Sequence, residues 1–223
     1  SENQKGELRV GIAYTRGRAI MPRLIPAFQR QYPNVEIMLR ECSNDAIQKA
    51  LLSGGIDLAI AAYPKVPPSI ELADYYTEHT VLCLVDSLLV QCQIDLDVRR
   101  NEIAAGDLHS LRDCPFVLGS AADIGGRIGR ELLRASGISP ISKATSENVE
   151  TLLALCVQGV GACFCPENLL QTALSPEQLA QLHILPLCPS ASYPICFGYL
   201  RRSYPWSVLS EFIRIAREQI RSA

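Results

Sequence analysis

The sequence predicts an α/β fold made of two subdomains. Residues 6–64 have the pattern of strand, helix, strand, helix and strand, and residues 116–166 repeat that order in outline. Helical crossovers of this length join parallel strands, so a parallel sheet covered by helices is expected. A last strand and an amphipathic helix return the chain to the first half. This return predicts that two separate segments of the chain form the first subdomain, with the second subdomain between them in sequence.

The strands of the first half are predicted from a period of two in hydrophobicity. Leu8, Val10 and Ile12 occupy alternate positions, and residues 35–39 show the same alternation. This spacing is typical of extended chain. Residues 57–61 are almost wholly apolar, which is expected for a strand that helices cover on both faces.

Two helical patterns lie between these strands. In the first, Leu24 and Phe28 fall on one face. Pro26 lies inside this pattern and removes a backbone hydrogen bond, so we expect a bent or shortened helix. In the second, Ser43 or Asn44 is the expected N-terminal cap, and a pair of glycines ends the helix where a positive φ is needed.

The second half is predicted to contain a strand, a helix, a short strand, a helix and a buried strand, at residues 116–119, 124–135, 142–145, 147–158 and 161–166. Thr145 or Ser146 is the expected cap of the second helix. Residues 80–85 and 182–187 are predicted strands outside this run. Residues 91–111 are less regular and give no firm prediction.

Composition points to a globular protein. Of the 223 residues, 48% are hydrophobic and 20% are charged, which argues against disorder. No window approaches 18 uninterrupted apolar residues, and the N-terminal residues lack the pattern of a signal peptide. A cytoplasmic location is therefore expected. The net charge of −2 makes this chain alone a poor ligand for DNA phosphates.

The nine cysteines do not predict a disulfide framework or a metal site. Most lie in apolar stretches, and no two of them have the C-x-x-C spacing of zinc ligands. This usage favours a reducing compartment, and redox sensing is the less favoured hypothesis. His79, His109 and His183 lack the spacing of zinc ligands, so no metal is expected.

Catalysis has little support in the sequence. No nucleophile elbow, phosphate loop or dinucleotide-binding glycine set appears. Gly125, Gly126 and Gly129 open a predicted helix, and we interpret them as sites of close packing. We expect neither catalytic residues nor a cofactor, and the protein is not expected to be an enzyme.

Four short motifs carry a resemblance to a known family. GELRVGIA at residues 6–13 is followed by a helix with Pro-Arg-Leu and Phe before Tyr-Pro, then by VEIMLRE at 35–41 and ALLSGGIDLAI at 50–60. This combination resembles the effector-binding region of LysR-type transcriptional regulators. The resemblance implies two Rossmann-like subdomains with a ligand cleft between them, in the manner of type 2 periplasmic binding proteins. It implies one subdomain from residues 1–86 with 192–223, and the other from residues 87–191. It also implies an N-terminal winged helix-turn-helix that would precede this chain and would contact DNA.

The resemblance further implies a set of effector contacts. Thr15 and Arg16 follow the first strand and precede a helix start, where an anion is attracted. A small anionic effector is therefore expected. Alanine at position 62 replaces the arginine of relatives that bind aromatic acids, which weighs against that effector class. The candidate contacts are Thr15, Arg16, Ser43, Ala62, Ser120, Thr145 and Phe164, although the hydroxyl side chains equally suit helix caps and Phe164 equally suits the core.

The hypothesis from the sequence is an effector-sensing and oligomerisation domain in which a ligand shifts the relative orientation of the subdomains. A homodimer or tetramer is implied, with residues 20–30 of one copy against residues 128–135 of another. A solute-binding protein of a transporter is the alternative on the same fold, and a dehydratase-type enzyme is a further one. A helix-turn-helix or a secretion signal upstream would discriminate between the first two.

Overall fold

The chain divides into two compact units, and each is described by itself. A computed structural model describes residues 6–201 and 206–221. Unit 1 contains Ser1–Thr77 and Pro194–Ala223, and unit 2 contains Glu78–Tyr193. The chain passes between the units inside two strands, whereas the sequence-based subdomains change at residues 86 and 192. The remaining residues of those predicted ranges, 1–5, 202–205 and 222–223, lie outside the described part.

The strands, in chain order, are β1 Gly6–Ile12, β2 Val35–Glu41, β3 Leu58–Ala61, β4 Ile70–Val85, β5 Pro115–Gly119, β6 Ile141–Ser146, β7 Cys163–Pro166, β8 Leu182–Pro186 and β9 Ser192–Leu200. The helices are α1 Tyr14–Gln29, α2 Asn44–Leu52, α3 Asp86–Gln91, α4 Leu96–Ala104, α5 Ile124–Ala135, α6 Val149–Val157, α7 Leu170–Ala173, α8 Pro176–Leu179 and α9 Ser207–Arg221. Short 3₁₀ turns lie at His109–Leu111, Glu167–Leu169 and Pro189–Ala191.

Unit 1 is organised around a sheet whose strands β2, β1 and β3 are parallel. Strand β9 pairs with β3 in the antiparallel direction. Leu8, Val10 and Ile12 are fully buried, which confirms the predicted alternation. Helices α1 and α9 pack together, with the rings of Phe28 and Phe212 edge to face at 5.2 Å. Parallel order places the carboxyl ends of β1, β2 and β3 at one edge of the sheet.

Helix α1 differs from its prediction in two ways. It continues through Pro22 and Pro26 to Gln29, so the expected shortening is wrong. Both prolines lie on the exposed side, where water can bond to carbonyl groups that lose their N–H donors. The helix also begins at Tyr14, so residues 15–18 form its first turns and not a loop before it.

Unit 2 has a parallel pair, β5 with β6, and an antiparallel group in which β4 pairs with β7 and β8. Helix α5 has the predicted bounds. Its glycines lie at close approaches, as predicted: a methyl group at Gly126 would be 2.6 Å from the Ser120 carbonyl oxygen, and one at Gly129 would be 2.3 Å from Phe164 Cδ2.

Two local predictions need correction, and a stretch without a prediction contains a helix. Strand β4 begins at Ile70, ten residues before the predicted residue 80. Helix α4 occupies part of residues 91–111, the stretch that gave no prediction. The cap of α6 is Asn148, whose Oδ1 accepts from Glu150 N at 3.0 Å, and not Thr145 or Ser146, because β6 continues to Ser146. Within residues 6–201 and 206–221, no helix has the length and apolar character that a membrane span requires.

Candidate functional site

The carboxyl ends of β1, β2 and β3, with the residues that follow them, are called the carboxyl edge of unit 1. Helix α1 begins here, directly after Ala13, which has extended backbone at φ −67° and ψ 147°. No side chain caps α1, and its first turn contains no acidic residue. Thr15 is half-buried in that turn. The N–H groups of the first turn and the helix dipole make this point electropositive.

Helix α1 differs in this respect from helices α2, α4, α5 and α6. In α2, α4, α5 and α6 a side-chain oxygen of the N-cap residue accepts a hydrogen bond from a first-turn N–H. These caps are Ser43, Asp95, Asp123 and Asn148. Among these five helices, α1 alone has no such bond, so no side chain of an N-cap residue occupies the donors of its first turn.

Two charged side chains lie close to the first turn of α1. Arg16 is 4% exposed, and its Nη1 donates to the carbonyl oxygen of Ile60 at 3.4 Å, near the end of β3. The Glu41 carboxylate is also close to this turn, since a methyl group at Gly17 would lie 2.8 Å from Glu41 Oε1. The edge thus combines a buried cation and a helix start with one opposing carboxylate.

The start of α2 adds two polar groups to the same edge. Ser43 is exposed, and its Oγ accepts from Ala46 N at 3.4 Å, a long bond. This confirms Ser43 as the cap. Asn44 Oδ1 is buried and has no hydrogen-bond partner among the described residues. A buried acceptor without a donor costs about 1–3 kcal/mol, so Asn44 is a candidate contact that the sequence identified only as a possible cap.

Ala62 lies at the carboxyl end of β3. It comes directly after Ala61, the last residue of the strand, and is half-buried. Thr15, Arg16, Ser43 and Ala62 are therefore brought together at the carboxyl edge of unit 1 by the parallel order of β1, β2 and β3. Adjacent Tyr63 was not predicted as a contact. Its hydroxyl is buried without a partner among the described residues, and burial raises the pKa of this phenol.

In unit 2, Ser120 and Thr145 lie near the carboxyl ends of β5 and β6, which are paired neighbours. Ser120 follows β5, and its Oγ accepts from Ala122 N at 3.2 Å. Thr145 is exposed on β6 and is paired in register with Leu118. The parallel pair thus brings these two predicted residues to the same end of unit 2.

Phe164 belongs to the apolar core of unit 2. It is 4% exposed, its ring is stacked on Phe116 at 5.9 Å between centroids, and Gly129 leaves room for it. Its burial agrees with the core alternative that the sequence left open. Its role as an effector contact stays a prediction.

Thr80 is a polar residue that the sequence reasoning missed. It is 2% exposed, and its Oγ1 has no hydrogen-bond partner among the described residues. It lies opposite the start of α5, 4.0 Å from where a methyl group at Gly125 would be. A threonine that begins an apolar strand gives no signal of such burial.

The cysteines are all free thiols, and six of the nine are buried. Cys83 and Cys165 have their sulfur atoms 3.9 Å apart, and Cys156 Sγ donates to the Cys83 carbonyl oxygen at 3.3 Å. Burial raises the pKa of the Cys114 thiol. Within the described part of the chain, no group of three or more Cys, His, Asp and Glu side chains is arranged to hold a metal ion.

Comparison with known proteins gives one matching family and two relatives. The model of the LysR substrate binding domain family matches residues 1–221. EstR, an HTH-type transcriptional regulator of Acinetobacter baylyi, is 28% identical over 153 residues, which cover 67% of this chain and 50% of EstR. IlvY, an HTH-type transcriptional activator of Salmonella typhimurium, is 26% identical over 172 residues, which cover 77% of this chain and 55% of IlvY.

A solved structure of a LysR family regulator has a similar fold. HinK, a LysR family transcriptional regulator from Pseudomonas aeruginosa, superposes with a TM-score of 0.72 at 20% identity. The match covers 98% of this chain and 72% of the HinK chain. This chain spans about half the length of the curated relatives it matches, at 50% of EstR and 55% of IlvY.

Proposed function

This chain belongs to the LysR substrate binding domain family, and from that premise we propose that it senses a small anionic effector for a LysR-type transcriptional regulator. Its fold is of the type 2 periplasmic-binding-protein-like class that this family has. In the full-length regulator, an N-terminal domain would contact DNA. The relatives reported above are transcriptional regulators, so the transporter and dehydratase alternatives are not favoured. A cytoplasmic location forms part of the same proposal.

The observation that carries the proposal is the first turn of α1, which has neither a side-chain cap nor an acidic residue of its own. An anionic group placed there would accept hydrogen bonds from first-turn N–H groups and from the Thr15 hydroxyl. The helix dipole and the charge of Arg16 would favour it further, since Arg16 lies buried at the same turn. Each charge-assisted bond is stronger than a neutral one.

The remaining candidate residues have defined parts in this proposal. Ser43 and Asn44 would contact the body of the effector from the start of α2, since Asn44 Oδ1 lacks a donor. Glu41 would disfavour anions and thereby set a limit on the negative charge that the site accepts. Ala62, Ser120, Thr145 and Phe164 remain further proposed contacts. Effector binding would be coupled to DNA through a difference in affinity for two conformations of the domain.

Thermal unfolding of the 223-residue chain tests the proposal. The ligands would be a panel of small carboxylates and sugar phosphates, each with its neutral amide or alcohol counterpart. At a concentration of about 100 times Kd, a ligand stabilises its protein by about 2.7 kcal/mol. We expect at least one anion, and not its neutral counterpart, to raise the melting temperature.

Two variants test whether the stabilising anion binds at the first turn of α1. Thr15→Val should weaken the stabilisation by the active anion, because it removes a hydroxyl at the first turn of α1. Thr151→Val is the matched control, since Thr151 is exposed on α6 of unit 2. Equal loss in both variants, or stabilisation only by neutral compounds, would count against an anion site at α1.

A further inference from the structure

A cavity in unit 1 lies away from the carboxyl edge. Its volume is about 210 Å³, and it is lined by Asp57, Glu71, Tyr199, Leu200, Trp206, Leu209, Ser210 and Ile213. We call it the α9 cavity, because three of these residues belong to α9. All eight belong to unit 1.

Sheet topology separates the α9 cavity from the proposed effector site. Asp57 immediately precedes β3, whereas Ala62 immediately follows it. Four residues of extended chain span about 13 Å. Tyr199 and Leu200 end β9, which runs antiparallel to β3, so they come to the same end of the sheet as Asp57. The two places therefore lie at opposite ends of β3.

One wall of the α9 cavity is apolar and aromatic. Leu209 and Ile213 are four residues apart on α9 and face the same side, where both are more than nine-tenths buried. Trp206 precedes α9 and is half-buried, as is Tyr199. Indole and phenol rings attract a cation to their faces. This wall suits a compact apolar body that carries a positive charge.

The polar wall carries two carboxylates, and among the described residues it includes neither lysine nor arginine. Asp57 is already engaged: Arg9 Nη2 is 2.9 Å from Oδ1, and Arg9 Nε and N are 3.2 and 2.9 Å from Oδ2. These bonds occupy three of the roughly four acceptor positions of a carboxylate. Asp57 therefore offers one further acceptor position at most.

Glu71 is the carboxylate with room for a new partner. Among the described residues it forms one ion pair, in which Arg201 Nε is 3.2 Å from Glu71 Oε1. The Glu71 side chain is 42% exposed and that of Arg201 is 69% exposed. Exposed ion pairs of this kind contribute little. An ammonium group that entered the cavity would replace Arg201 at Glu71 at small cost, and it would be nearer to the aromatic wall.

We propose that the α9 cavity binds a small primary amine with an aromatic or branched aliphatic body, its ammonium group at Glu71 and its body against Trp206, Leu209 and Ile213. The cavity volume limits the ligand to a small molecule, since 210 Å³ is below the roughly 300–1,000 Å³ of sites for drug-sized ligands. A phenylethylamine is of suitable size. This site is independent of the proposed anionic effector.

Trp206 supplies the measurement, because it is the one tryptophan of the chain. Its emission would be followed while the 223-residue chain is titrated with phenethylamine, with 2-phenylethanol as the neutral match and 3-phenylpropionate as the anionic one. We expect a saturable change with the amine and binding about tenfold weaker or worse for the other two. Equal affinity for the amine and the alcohol, or no change with the amine, would overturn the proposal.

Variants distinguish this site from general charge effects. Glu71→Gln should weaken amine binding by about tenfold, whereas Glu102→Gln should not. Glu102 is the matched control because its side chain is 43% exposed, as against 42% for Glu71, and it pairs with Arg99 in unit 2. Ser210→Phe, at an exposed position of the lining, should abolish binding by filling the cavity. Amine binding unchanged in both Glu71→Gln and Ser210→Phe would contradict the proposal. Thr15→Val should leave amine binding unchanged. The amine titration and the thermal panel of anions can therefore fail independently of each other.

Discussion

The phenol of Tyr32, just beyond α1, donates a hydrogen bond to Glu211 Oε2 on α9 at 3.0 Å. Arg214 donates to the same oxygen from Nε at 3.0 Å and from Nη2 at 2.8 Å. These bonds, first those from Arg214 and then that from Tyr32, lower the pKa of Glu211 below its ordinary value of 4.5. The contact therefore links the packing of α1 on α9 to pH.

Acid should remove the contribution of Glu211 to stability. In the unfolded chain its carboxyl takes up a proton at higher pH than in the folded chain, so stability is present above about 4.5 and is lost as pH falls through the folded pKa. Glu211→Gln should be less stable than the parent in urea at about pH 7, and the difference should shrink at about pH 3. Glu36→Gln, at an exposed position of β2, is the control. A difference that grows on acidification would contradict this account.

The contact between Gly129 and Phe164 predicts the effect of a single methyl group. In Gly129→Ala, Cβ would lie 2.3 Å from Phe164 Cδ2. We expect a loss of about 1–3 kcal/mol in the free energy of unfolding. Gly6→Ala is the control, since its methyl group would be at an ordinary 3.7 Å from Trp206.

Phe164→Leu should be destabilising alone, because Phe164 fills the core against Phe116. Combined with Gly129→Ala it should cost less than the sum of the two single changes, since leucine leaves room for the methyl group. Strict additivity in urea unfolding would show that the two residues do not compete for the same space.

Thiol accessibility should divide the nine cysteines into two classes. Cys42, Cys92 and Cys188 are half-buried, and the other six are buried. We expect at most three thiols to react quickly with Ellman's reagent in the native chain, because reaction requires an exposed thiolate. The remaining six should react only as the protein unfolds in denaturant. Fast reaction of four or more thiols in the native state would disagree with this burial.

The proposed homodimer should become more stable as the salt concentration rises. Residues 20–30 expose Arg23 and Arg30 and contain no acidic residue, whereas residues 128–135 carry Arg130, Glu131 and Arg134, so each proposed surface has a net positive charge. A dimer that places residues 20–30 of one copy against residues 128–135 of another brings these like charges together. Raising the salt concentration from about 0.05 M to about 0.5 M should therefore strengthen the dimer in sedimentation velocity.

A charge reversal provides the matched test of that dimer. Arg23→Glu on α1 should strengthen it at low salt, whereas Arg99→Glu on α4, outside the proposed surfaces, should not. A chain that stays monomeric at every concentration, or a dimer unaffected by Arg23→Glu, would argue against this arrangement.

Much of the fold is predictable from the sequence because local signals agree with tertiary packing. The alternation of Leu8, Val10 and Ile12 predicts β1, and all three side chains are fully buried. Helix α4 gave no such signal, since it buries only Leu96 and Ile103, seven residues apart. Two apolar positions at that distance do not establish a helical period.

The candidate site is predictable only in part. The order of strands and helices places Thr15 and Ser43 at one edge, which follows from parallel topology. The burial of Arg16 and the unsatisfied oxygen of Asn44 depend on how segments distant in sequence pack. The α9 cavity depends on the same kind of packing, since it joins residues as far apart as Asp57 and Trp206.

The central claim is that an anion binds at the first turn of α1, and amide NMR measures this directly. The chain would be titrated with the carboxylate or phosphate that stabilises it most in the thermal panel. We predict the largest ¹H–¹⁵N shifts at Tyr14, Thr15 and Arg16, with smaller ones at the start of α2, and their loss in Thr15→Val. If the signals of these three amides do not shift, or if they shift in Thr15→Val with the same affinity, the account is contradicted.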